Sequence, residues 1–198
     1  MILTPEQQDG LSELINIAFS RTAASLSDLT GERVMLDVPD VAVYPSSELV
    51  QTLSGMVRSD IATVHQVFHG PIQGDALLLL DYESAVLLTE LLTNEPAHRL
   101  DSSAREVLTE VGNILLNACL SMFGDLLHTH LAFSVPRLKV EALQVMLNEL
   151  IASNEELRYA LIVYTGFRLR DSAVTGYLVL VLGVASLDRL LQAIKEAS

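Results

Sequence analysis

Asp9, Glu13, Asn16 and Ser20 follow one another at intervals of four, three and four residues. Glu106, Glu110, Asn113 and Asn117 repeat those intervals in the second half of the chain. At 100° per residue each set falls within about 60° of helical arc, so carboxylates and a carboxamide stand in a row, one turn apart. A Glu and an Asn supply no activated nucleophile, and nothing adjoining them in sequence desolvates the carboxylates. An Asn side chain can, however, hold a water molecule through one donor and one acceptor. Orienting an attacking water is a large part of phosphoryl transfer. The electrophile and its metal would then arrive with a partner, and the carboxylate beside the Asn could grip that partner's Lys or Arg. The competing reading of the carboxylates is a solvated helix face. The two Asn resist it. Asn is about 0.6 kcal/mol worse than Ala inside a helix and prefers caps and turns, yet each stands mid-helix, three residues after a Glu.

The elements that carry these rows are themselves repeated. An offset of 97 places Leu11, Glu13, Asn16, Ile17, Asp28, Leu29, Val38 and Pro39 on Leu108, Glu110, Asn113, Ile114, Asp125, Leu126, Val135 and Pro136 without a gap. Self-similarity on this scale marks duplicated structural units. Thr4, Pro5 and Gln7 predict a capping box with Pro at the first helical position. Asp101 takes the matching place in the second copy, where Ser103 with Glu106 is a rival cap. The helices are predicted to run to about Leu29 and Leu126. Leu11, Leu14, Ile15, Ala18, Phe19, Thr22, Leu26 and Leu29 share one face of the first. Leu108, Val111, Leu115, Leu116, Cys119, Met122, Phe123 and Leu126 share one face of the second.

After each long helix come two strands and a short helix: 61–69, 74–82 and 84–93, then 159–168, 174–182 and 186–196. Gly70 and Pro71 make the first turn, and Gly74 and Gly176 correspond at the strand starts. Residues 41–44 and 138–140 add an edge strand to each half, and 145–151 reads equally as strand or helix. The sum predicts an α/β (α+β) fold with pseudo-twofold internal duplication, a mainly antiparallel sheet packed with two long and two short helices. It is expected to be one domain over 1–198, built from repeats of about 1–97 and 98–198, since each half alone is too small for a good core.

Half of the 198 residues are apolar, and 25 Asp and Glu outnumber 12 Lys and Arg for a net charge of −13. Phosphate neutralisation needs clustered Lys and Arg, so the balance argues against nucleic acid and against an anionic membrane surface. Cys119 alone makes neither an internal disulfide nor a multi-Cys zinc site, which fits a reducing cytoplasm. The first residues lack the basic-then-apolar pattern of a signal peptide. The longest nearly apolar run, 177–187, is too short to cross a membrane. No metal ligand set is legible: His128 and His130 form an HxH pair without a third ligand, and His65, His69 and His98 read as isolated. Cys119 reads as core, Gly31 to Arg33 as a turn, and Pro39 and Pro136 as residues suited to strand starts. Ile17 and Ile114 stand about 100° from their Asn, outside the apolar face. Two readings are open for them: an apolar anchor on a partner, or packing under a neighbouring loop.

The pattern Asp9-x3-Glu13-x2-Asn16-x22-Pro39 and its second occurrence, Glu106-x3-Glu110-x2-Asn113-x22-Pro136, resemble the signature of the CheC, CheX and FliY family of chemotaxis phosphatases. Two motifs resemble the CheC-like layout more than CheX, which has one per chain. Nothing after the second short helix resembles the switch domain of FliY. The resemblance implies hydrolysis of the aspartyl phosphate of the response regulator CheY, in cytoplasmic two-component signalling. It implies that Asn16 and Asn113 orient the attacking water and that Glu13 and Glu110 pair with the receiver's active-site Lys. Asp9, Glu106, Ile17 and Ile114 would then contact the receiver. It implies no cofactor of the chain's own, with Mg²⁺ supplied by the receiver, and makes the receptor deamidase CheD a further candidate partner. The alternative is a non-catalytic interaction protein, at the flagellar switch or as a CheD-binding adaptor. One departure stands out: the family's first motif position is usually Asp or Ser, and the second copy has Glu106.

Overall fold

The computed structural model describes residues 3–37, 40–57, 60–153, 157–169 and 172–197; Pro39 lies outside the described residues. Thr4 opens helix α1 (Pro5–Thr30) with a complete capping box. Its hydroxyl accepts from the Gln7 N–H at 3.2 Å, while the Gln7 side chain accepts from the Thr4 N–H at 2.9 Å. Gly31 closes the helix at φ 69°, a left-handed conformation that costs glycine nothing. Then follow β1 (Val34–Leu36), β2 (Val41–Pro45), a 3₁₀ turn at Ser46–Glu48, α2 (Leu49–Met56), β3 (Asp60–His69), β4 (Gly74–Asp81) and α3 (Tyr82–Thr93). The second half repeats this order as α4 (Ser102–Leu126), β5 (Ala132–Phe133), β6 (Arg137–Ala142), α5 (Leu143–Ser153), β7 (Leu157–Leu169), β8 (Ser172–Gly183) and α6 (Val184–Ala197). The rival cap of α4 does not form. The Asp101 side chain accepts from the Ala104 N–H at 3.0 Å and starts the helix at Ser102, which leaves Glu106 out of the cap.

The eight strands make one antiparallel sheet in the order β1-β7-β8-β4-β3-β5, with β2 also on β7 and β6 also on β3. At its centre β4 meets β8, Leu78 opposite Leu178. Each half lends its short strands to the other: β1 and β2 pair with β7, and β5 and β6 pair with β3. Chains of 1–97 or 98–198 made alone are therefore expected to aggregate or stay unfolded, and co-expression is expected to restore a cooperative melt by circular dichroism. A cooperative melt from either half by itself would contradict this.

Successive strand residues face opposite sides of a sheet. Ala76, Leu78 and Leu80 of β4 and Leu178, Leu180 and Leu182 of β8 enter one core, while Leu77, Leu79, Val179 and Val181 enter another. Burial on both faces is why β4 and β8 read as continuous apolar runs. The first core is covered by α1, α3, α4 and α6, and the second by α2 and α5.

Six helices are present among the described residues, not the four read from sequence. Helix α2 buries only Leu49 and Leu53, too little periodicity in eight residues to register as a helix. Residues 145–151 belong to α5, where Leu143, Met146, Leu147 and Leu150 recur at helical spacing and face the second core. Leu29 also departs from expectation: it is 61% exposed, because the last turn of α1 carries this apolar position out of the core.

Helix α4 is long and apolar enough to cross a membrane by length and composition alone, but its apolar face is buried in the first core. Cys119 is fully buried there, and burial pushes its thiol far above the usual range, so it stays protonated and unreactive. His128, at φ 50°, lies in the turn leaving α4, and His130 in the loop that follows it. Nor is His65 isolated, since its Nε2 lies 2.6 Å from Asp75 Oδ1.

Candidate functional site

The motif helices α1 and α4 pack against each other over the first core, and Arg21 of α1 reaches Asp125 of α4 at 3.7 Å. Two further contacts seat them on the sheet. Gln8 Nε2 of α1 donates to the Val41 main-chain oxygen of β2. Gly112 of α4 lies so close to β3 that a Cβ there would sit 2.5 Å from Val64 Cγ1. The residue after Gly112 is Asn113, so this close approach sets the height of the second row above the sheet.

With their apolar faces turned to the core, both helices leave the polar rows outward. Asp9, Glu13 and Ser20 are exposed and Asn16 is half-buried; Glu106 and Glu110 are exposed and Asn113 and Asn117 half-buried. Among the described residues, no hydrogen bond or ion pair engages the carboxylates of Asp9, Glu13, Glu106 or Glu110, and none joins one row to the other. The structure thus holds two separate rows, each an uncommitted carboxylate one turn from an amide. Ile17 is 39% exposed beside the first row. Ile114 is half-buried and packs against the first core.

The amides are held differently. Ser20 Oγ donates to the Asn16 main-chain oxygen at 2.9 Å, and Asn16 Oδ1 is shut off from solvent without a partner. Asn113 Oδ1 instead accepts from Asn117 Nδ2 at 2.8 Å. That bond was not anticipated from the sequence, although two amides at i and i+4 are the spacing at which helical side chains meet. Chemically, each row can bind a partner's cation through Glu and orient a water through Asn. Among the described residues, no three His, Cys, Asp or Glu side chains are grouped to hold a metal ion.

No family model matches the chain. Over 166 residues it is 24% identical to the CheY-P phosphatase CheC of Bacillus subtilis (strain 168), a match covering 81% of this chain and 79% of CheC. Over 142 residues it is 21% identical to the flagellar motor switch phosphatase FliY of the same organism, covering 70% of this chain but only 36% of FliY. Among solved structures, Thermotoga maritima FliY superposes with a TM-score of 0.77 at 18% identity, covering all of both chains. The FliM middle domain from H. pylori gives 0.70 at 10% identity, covering 96% of this chain and 99% of that one. A CheC-like superfamily protein from Shewanella sp. PV-4 gives 0.54 at 8% identity, covering 86% and 97%. By sequence this chain is a homologue of CheC and FliY, and it carries the fold of FliY and the CheC-like proteins.

Proposed function

We propose that this chain accelerates hydrolysis of the aspartyl phosphate of a CheY-type receiver domain. The observation that carries the reading is the doubled row: an exposed, uncommitted Glu one turn from a half-buried Asn, on two packed helices of a CheC homologue. Glu13 or Glu110 pairs with the receiver's active-site Lys and fixes the pose. Asn16 or Asn113 holds a water in line with phosphorus. The water oxygen bonds to phosphorus as the bond to the aspartyl oxygen breaks; inorganic phosphate takes the water's proton, and the receiver's carboxylate is freed. Mg²⁺, carried by the receiver, neutralises charge on the phosphoryl oxygens. Asp9, Glu106, Ile17 and Ile114 border the contact, and 1–198 acts as one unit in the cytoplasm.

Phosphate release from a phosphorylated CheY-type receiver, with this chain in catalytic amount, tests the proposal: acceleration with multiple turnovers is expected. At −13 the chain gains little long-range attraction to a carboxylate-rich receiver pocket. Binding then rests on local Glu–Lys pairing and apolar contact, so kcat/KM is expected to vary little between low and physiological ionic strength. A steep fall with salt would contradict this local mode of binding. The fold shared with the FliM middle domain favours one second reading, a non-catalytic interaction protein at the flagellar switch. Receiver binding without acceleration would move the chain to that reading, or to an adaptor for CheD.

A further inference from the structure

The two rows differ at their last member, and the difference bears on the amide that meets the water. The terminal torsion of an Asn side chain is broad and roughly two-fold, so a hydrogen bond to one end of the amide fixes which end meets a water. Among the described residues Asn16 has no such bond: its Oδ1 is buried without a partner, and the Ser20 hydroxyl is turned to the main chain. Asn113 has one, because Asn117 Nδ2 donates to its Oδ1 at 2.8 Å. The Asn117 Oδ1 is itself buried without a partner, whereas an Asn placed only to solvate a helix face would turn that acceptor to water.

We propose that Asn117 is the positioning residue of the second row. Its Nδ2–H bond fixes the rotation of the Asn113 carboxamide and leaves both Asn113 Nδ2 hydrogens and one Oδ1 lone pair for the attacking water. The second row is preorganised, the first is not, and the second carries more of the turnover. This assignment rests on the phosphatase reading.

The test uses the full chain with one row at a time: Asn16→Ala leaves the second row and Asn113→Ala leaves the first. Asn117→Ser, which copies the residue of the first row, is added to each, and phosphate release from a phosphorylated CheY-type receiver is followed. In the Asn16→Ala background kcat is expected to fall about ten-fold with KM unchanged, the signature of lost orientation. In the Asn113→Ala background no change is expected. Asn117→Gln, which keeps the donor, is expected to recover part of kcat. A purely structural role would lower both backgrounds alike and would shift the circular dichroism melt. Equal losses in both backgrounds, no loss in Asn16→Ala, or an inactive Asn16→Ala would each overturn the assignment. If the unsubstituted chain accelerates nothing, the phosphatase reading itself fails and takes this assignment with it.

Discussion

The double substitution Asn16→Ala/Asn113→Ala is expected to return receiver dephosphorylation to its unassisted rate while leaving the chain folded. Asn16 and Asn113 are the amides one turn from the Glu of each row, able both to donate to and accept from a water, and misplacing a reacting group costs about 10²-fold. Loss of both amides should therefore remove at least that factor from kcat/KM. Stability should move the other way. Ala is about 0.6 kcal/mol better than Asn in a helix interior, and truncating Asn16 also removes a buried oxygen that has no partner. At Asn113 the gain is smaller, because the bond from Asn117 is lost. A variant that melts at or above the parent temperature yet has lost activity is the outcome expected when a residue is kept for function against its structural cost. The carboxylates should behave differently. Glu13→Gln with Glu110→Gln keeps the water site and weakens the grip on a cation, so KM is expected to rise more than kcat falls. Activity retained by the folded double Ala variant would remove Asn16 and Asn113 from the mechanism.

What the sequence disclosed and what it hid divides along physical lines. Local signals were legible: the Thr4–Gln7 box, the stop at Gly31, and the 100° arithmetic that separates Glu13 and Asn16 from the apolar face all depend on residues within a turn or two of each other. The apolar runs of β4 and β8 read as strands, but burial on both faces was not read from them, nor what covers the second face. Helices α2 and α5 do that with six buried side chains, Leu49, Leu53, Leu143, Met146, Leu147 and Leu150. Nor could the repeat reveal that β1 and β2 pair with the other half, since strand exchange between copies leaves every local pattern unchanged. In the site itself, spacing put Asn117 on the same stripe as Asn113. Only the observed rotamers distinguish its bond to a neighbouring side chain from Ser20's bond to the backbone.

Gly112→Ala is expected to destabilise the chain even though the same change favours a helix. In an open helical position, replacing Gly by Ala gains about 1 kcal/mol. At Gly112 the added Cβ would meet Val64 Cγ1, Cβ and Cγ2 at 2.5, 2.6 and 2.8 Å. Val64 is 1% exposed and β-branched, with little freedom at χ1, and its strand is fixed between β4 and β6. Nothing yields cheaply, so α4 must lift from β3, and overpacking of this kind costs about 1–3 kcal/mol or more. With contact closer than real Cβ atoms tolerate, the clash should exceed the propensity gain. A net loss of about 2 kcal/mol is expected, or about 4–8 °C in Tm for a domain of this size. Gly55→Ala in α2 is the control, since nothing lies within 4 Å of its Cβ position; the helix preference acts alone there and a small gain is expected. Because Asn113 follows Gly112, lifting α4 should also depress turnover at the second row, measured in the Asn16→Ala background. Val64→Ala opens space for the new methyl, so Gly112→Ala/Val64→Ala should be more stable than the sum of the single losses predicts. Additive losses would mean that Val64 is not what resists the methyl; a Gly112→Ala chain as stable as its parent would mean that α4 does not depend on this close approach to hold Asn113 in place.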